Sequence, residues 1–410
     1  MEQLVIVRRK LILLLSLALV AVPLDATAAV SAGTSCKKIG STALSNGKKF
    51  TCIKVGKKFV WDKGVLQKAA AKPKPTTTSP PTIQKLNYPT SPEVQKLDLL
   101  LQNAFSTATP AQAKIDFQVG PGKESAQIAE IAKVSVESAL VVASILKINL
   151  STPLTIYIGN RDWLAPKMPA GTWCADPMMG VPGSASAGFC GLNNGVAFLS
   201  VDGLTENDGK KISRDFTKTP DRFFLSFVFT HELFHAMQGE ASSQYAQSRG
   251  FYNPYWLNEG GANFGAMMSQ AYIYKVPFSQ IRVYIATYSS CVLSQKPTLI
   301  KDFIRNAGQT NVCGPYYDGY LWSEFFVAST GDFGSLIDLA KQNEKVGSEL
   351  TYDPNRPDEF EEKKLALSMK NGYGIDFNTF TANAQAYSDA STLQLRQWLS
   401  ANNPIYPQTP

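Results

Sequence analysis

The chain has 410 residues, enough for one sizeable core beside a smaller unit, with 40 Lys and Arg against 33 Asp and Glu, a formal charge of +7. The excess is local: residues 1–29 carry +1, residues 30–75 carry +10, and the rest about −4. Two histidines in all, His231 and His235, exclude any metal site built on three.

Residues 1–28 read as an export signal. Arg8, Arg9 and Lys10 precede an apolar stretch, residues 11–24, too short to span a bilayer, and Ala26-Thr27-Ala28 has the small-x-small form of a cleavage site. A lipid-anchored start is set aside, because Cys36 lies too far beyond the apolar stretch. Export places the chain in an oxidising, extracellular setting, so the six cysteines are expected as disulfides. Spacing suggests the local pairs Cys36–Cys52, Cys174–Cys190 and Cys291–Cys313.

Residues 31–65 form a small unit, with short alternating strands around Asn46-Gly47 and one disulfide as a staple. Its form resembles short Cys/Trp modules at the N-termini of secreted bacterial proteins. A basic exported module suits an anionic cell-wall polymer or membrane surface, reached through residues 31–75, or serves only to solubilise; nucleic acid is not expected as a partner. Residues 66–91 are a linker rich in Pro, Thr and Lys, residues 92–400 the main domain, and 401–410 a tail.

The main domain opens with helical patterns over residues 92–105 and 124–148, then a strand at 154–159. A segment rich in Gly, Pro, Met and Ala covers 164–194, and a second strand covers 195–201. A polar loop at 206–218 leads to a helix opened by Thr219, Pro220 and Asp221 and stopped at Gly239. That helix carries His231-Glu232-Leu233-Phe234-His235. Residues four apart share a helix face, so both imidazoles can bind one cation, while Glu232 is placed to take a proton from a water that the metal activates. Further helices are expected at 320–329, 333–343, 357–370 and 378–399.

Tetrahedral zinc in a hydrolase needs three protein ligands. Glu240 is nearest but follows Gly239 and lies off the histidine face; Glu259, in Tyr255-Trp256-Leu257-Asn258-Glu259-Gly260-Gly261, lies 24 residues after His235, room for a turn and the start of a second helix. Gly260, Gly261 and Ala262 are expected to let that helix pack closely on the first.

Here the chain resembles the gluzincin peptidases, in which H-E-x-x-H is followed by a glutamate on the next helix, often within W-L-N-E-G. The resemblance implies an α+β, thermolysin-like zincin domain: a small mixed sheet over the H-E-x-x-H helix, then a mainly helical part. It implies one Zn2+ held by His231, His235 and Glu259, with Glu232 as general base. The strand at 195–201 is expected as the sheet edge along which an extended peptide pairs. Tyr316, in Cys313-Gly314-Pro315-Tyr316-Tyr317-Asp318-Gly319-Tyr320, matches the tyrosine that stabilises the oxyanion in related families, with Tyr317 and Tyr320 as rivals. Asn263 stands where some members carry an acid behind a ligand histidine. No G-A-M-E-N-type motif precedes the site, which favours endopeptidase over aminopeptidase action. The expected activity is hydrolysis of peptide or protein substrates; the alternatives are a silent metal protein held at the cell envelope and a hydrolase of non-peptide amides.

Overall fold

The structure is a computed structural model that describes residues 30–45, 48–66, 90–148, 150–172, 174, 186–191, 195–202, 222–241, 253–282, 299–304 and 314–402. The export segment, most of the linker, the polar loop at 206–218, the Thr219-Pro220-Asp221 helix start, the Cys291–Cys313 pair and most of the tail lie outside them. The chain divides into two compact units, Met1–Thr78 and Ser79–Pro410.

In the first unit, β1 (Thr42–Ser45), β2 (Lys48–Val55), β3 (Lys58–Trp61) and β4 (Val65–Leu66) form one antiparallel sheet with β2 at its centre. Alternation along β2 turns Phe50 and Cys52 to the covered face. The Cys36–Cys52 disulfide, with Cα atoms 5.9 Å apart, closes a loop worth about 3 kcal/mol in a core too small to hold alone. Asp62 fixes the last turn by accepting from the Thr51 N–H (3.0 Å) and the Gly64 N–H (2.9 Å), which lowers its pKa. Gly64 has φ +68°, and the Phe50 ring fills the place a Cβ would take.

The second unit has mixed α and β structure. Ser91 caps α1 (Pro92–Thr107) by accepting from the Val94 N–H. Next come β5 (Ala113–Val119), α2 (Lys123–Ile145), β6 (Leu150–Gly159), α3 (Arg161–Leu164), β7 (Ser186–Phe189) and β8 (Val196–Ser200). The sheet runs β5-β6-β8-β7, parallel except for β7. Each residue of β8 is buried, because both sheet faces are covered. Ile156, Ile158 and Leu199 join the main core with α2 and α4 (Arg222–Ala241). Val196 and Phe198 face a separate cluster with Leu164 and Met168, stapled by the Cys174–Cys190 disulfide.

Two expectations are corrected here. The strand at 195–201 is not a sheet edge, since β8 pairs with β6 on one side and β7 on the other; β7 is the edge on that side, and β5 the opposite one. Gly239 does not stop α4, which continues to Ala241 and carries Glu240 round to β6, where it accepts from the Thr152 N–H (2.6 Å) and the Ser151 hydroxyl (2.8 Å).

A π-helical turn at Trp256–Gly260 leads into α5 (Gly261–Tyr274), and a second at Gly314–Asp318 leads into α6 (Gly319–Thr330). The chain ends in α7 (Ser335–Glu349), α8 (Pro357–Tyr373) and α9 (Phe377–Asn402). Among the described residues no helix is long and apolar enough to cross a membrane.

Candidate metal centre

Burial on nearly every side holds α4 rigidly: Phe223, Leu225, Phe229, Leu233, Phe234 and Met237 all lie in the core. A polar clamp ties it to α5 one turn before the histidines. The Ser226 hydroxyl donates to Gln270 Oε1 (2.8 Å), and the Gln270 amide lies 3.3 Å from the Thr230 hydroxyl. Gly265 of α5 packs against the Phe234 ring, where a Cβ would stand 1.9 Å from Cδ2. Gly261 lies beside Gln238 and leaves more room. Gly260 faces away from α4, its missing Cβ 2.1 Å from the Gly319 carbonyl carbon. The expected close packing of α5 on α4 thus rests chiefly on Gly265. Gly260 instead packs backbone to backbone on Gly319, the first residue of α6 directly after the second π-helical turn, which sets that turn close to Glu259. Trp256, fully buried against Trp322 and Phe380, anchors the first turn.

Three atoms converge. His231 Nε2 and His235 Nε2 are 3.1 Å apart, and Glu259 Oε2 lies 3.3 Å from the first and 3.4 Å from the second. The neighbours settle which ring nitrogens carry protons. The Asn263 amide donates to the Tyr316 carbonyl (2.6 Å), so its Oδ1 faces His231 Nδ1 at 2.8 Å. The Gln238 amide donates to the Leu257 and Asn258 carbonyls, so its Oε1 faces His235 Nδ1 at 2.7 Å. Each Nδ1 must therefore donate, and in the neutral rings both Nε2 lone pairs point at one another and at a carboxylate oxygen. In that neutral state the three acceptors have no donor between them, an arrangement that could hold a cation.

The spacing fits a small divalent ion: bonds of about 2.0–2.1 Å at tetrahedral angles put donor atoms about 3.3–3.4 Å apart. These are the residues that could hold a metal ion among those described. The electrostatics agree. Burial would raise the Glu259 carboxyl, but its contacts with His231 and His235 reverse this and hold it well below the usual carboxylate range. Burial would discharge His235, but the hydrogen bond and charge of Glu259 raise its pKa to about 9. The field that holds a proton on His235 is one that would hold a metal cation.

Glu232, half-buried, is kept apart from the three. Its Oε2 accepts from the Phe189 N–H of β7 at 3.1 Å. Burial pushes its carboxyl up against the pull of the two imidazoles; the Glu259 charge adds to the rise, and the Phe189 N–H opposes it. The Tyr316 ring lies over His231, with centroids 5.9 Å apart and planes 29° from parallel. Burial, with the charge of Glu259 and Tyr255 beside it, raises the pKa of its hydroxyl far above the usual range. Tyr317 and Tyr320 are buried behind it, packed edge to face at 5.6 Å.

The structure thus brings His231, His235, Glu232, Glu259, Asn263 and Tyr316 together. Two residues of the site have no role assigned from the sequence: Gln238 and Tyr255. Both were open to a spacing argument, since Gln238 follows His235 by three and Tyr255 precedes Glu259 by four. Comparison with models of protein families, with curated proteins and with solved structures returned no match to this chain.

Proposed function

We propose that the second unit is a zinc-dependent peptidase of the gluzincin, thermolysin-like type, acting outside the cell on peptide or protein substrates. The carrying observation is a buried triad of lone pairs beside a separate carboxylate, Glu232, held on the edge strand. Two histidines and a carboxylate also suit iron in oxygenases. The separate carboxylate of Glu232, held beside the triad by the Phe189 N–H, favours hydrolysis, which needs a base beside the metal. Disulfides at Cys36–Cys52 and Cys174–Cys190 fit an oxidising setting.

His231, His235 and Glu259 would hold the ion, which when bound supplies Lewis acidity toward a carbonyl and lowers the pKa of water. Asn263 and Gln238 fix the imidazole tautomers and keep both Nε2 lone pairs turned inward. The Glu232 carboxylate takes a proton from the attacking water and hands it to the leaving nitrogen. Tyr316 stays protonated and donates its hydroxyl to the developing oxyanion.

Glu232→Gln is the direct test. The purified variant should keep its metal, measured by elemental analysis, and lose about 100-fold or more of its turnover on a peptide library. Near-full turnover in this variant would refute the assignment, and absence of zinc from the wild-type protein would remove its basis.

A further inference from the structure

The first unit leaves one face of its sheet open. Paired residues in an antiparallel sheet share a face, so the register places Lys49, Ile53, Val55, Lys58 and Val65 together, opposite the face that buries Phe50 and Cys52. The aliphatic members are exposed: Ile53 39%, Val55 57% and Val65 71%. Lys49 is cross-strand partner of Val65 and Lys58 of Val55, so both ends of the aliphatic strip carry a positive charge, and Lys57 stands in the adjoining turn. Exposed aliphatics ringed by lysines on a unit this small mark an interaction surface.

We infer that this face binds an anionic lipid bilayer, with Ile53, Val55 and Val65 entering the headgroup boundary and Lys49, Lys57 and Lys58 meeting lipid phosphates. Charge alone would suit any polyanion. The aliphatic strip between the lysines decides for lipid, because a wall polymer or polyphosphate offers nothing apolar to cover it. The inference stands apart from the metal centre and does not depend on the peptidase reading.

The test is co-sedimentation of the chain without its export segment, residues 1–28, with vesicles of phosphatidylcholine alone and of equimolar phosphatidylglycerol and phosphatidylcholine, with soluble polyphosphate as a third probe. Binding is expected to the anionic vesicles only, and to weaken as salt rises. Ile53→Ser with Val55→Ser, and separately Lys49→Glu with Lys58→Glu, should each lower it about tenfold or more, since each lysine near such a surface is worth about fivefold. Lys49→Arg with Lys58→Arg should bind as the parent does. An intact Cys36–Cys52 crosslink in every variant checks the fold. Equal binding to neutral vesicles, no binding to anionic ones, or parent-like binding by either disruptive pair would overturn the inference. So would polyphosphate capture that the serine pair leaves untouched while vesicles fail to bind.

Discussion

Glu259 and Glu324 are both buried carboxylates of the second unit, yet they face opposite surroundings. Glu324, fully buried on α6, meets a permanent cation: Arg282 Nε lies 3.0 and 3.1 Å from its two oxygens, and the Tyr387 hydroxyl of α9 donates to it as well. Burial pushes its carboxyl up, while Arg282 and Tyr387 draw it back. Glu259 meets two imidazoles whose protons are fixed on the far nitrogens by Asn263 and Gln238. One carboxylate is complete within the protein; the other, in the proposed reading, is completed by a metal ion. The first is read as architecture, joining α6 to α9, and the second as a site.

The sharpest break of this contrast is Glu324→Gln. It leaves the Arg282 charge buried without its anion and should cost roughly 3–5 kcal/mol in urea unfolding, with metal content per folded molecule unchanged. Unaltered stability would show that the pair carries no structural load. Glu259→Gln should behave in the reverse manner. Zinc at about 100 times Kd should stabilise the parent by about 2.7 kcal/mol over the chelated form, read by thermal melting, and this gain should vanish in the variant. A gain that survives would place the ion elsewhere. The smallest effect falls on the supporting amides. Asn263→Ala and Gln238→Ala should each weaken metal affinity about 10- to 100-fold in a chelator competition, with the fold retained. Parent-like affinity would undo the tautomer argument.

Most helices of the second unit were legible from periodicity, with ends displaced by up to six residues, as at 333–343 against Ser335–Glu349. The strands were less so. β5 has a plain alternation, Ile115, Phe117 and Val119 against Lys114, Asp116 and Gln118, but its seven residues stand between two stronger helical patterns and were passed over. β7 reads Ser-Ala-Gly-Phe and has no strand signal of its own; it exists because β8 offers it an edge and the Cys174–Cys190 disulfide holds the chain just beyond. Of the three tyrosines, residue type and spacing could not choose; only the backbone contact of Gly260 with Gly319 sets the turn that carries Tyr316 close to Glu259.

By itself the sequence determined the candidate donor set and the order of its helices. Two histidines four apart on one helix, with no third, forced a carboxylate to be sought beyond α4, and Glu259 was the one with room to return. The tertiary structure decided what each donor faces. It spent Glu240 on β6, gave β7 the sheet edge and a backbone N–H for Glu232, and turned both Nε2 lone pairs inward through amides from α4 and α5. Helical spacing is a local property, fixed by 3.6 residues per turn, so the chain displays it directly. Which proton sits on which nitrogen depends on partners up to 53 residues away, such as the Tyr316 carbonyl that orients Asn263, and those meet only when the core closes.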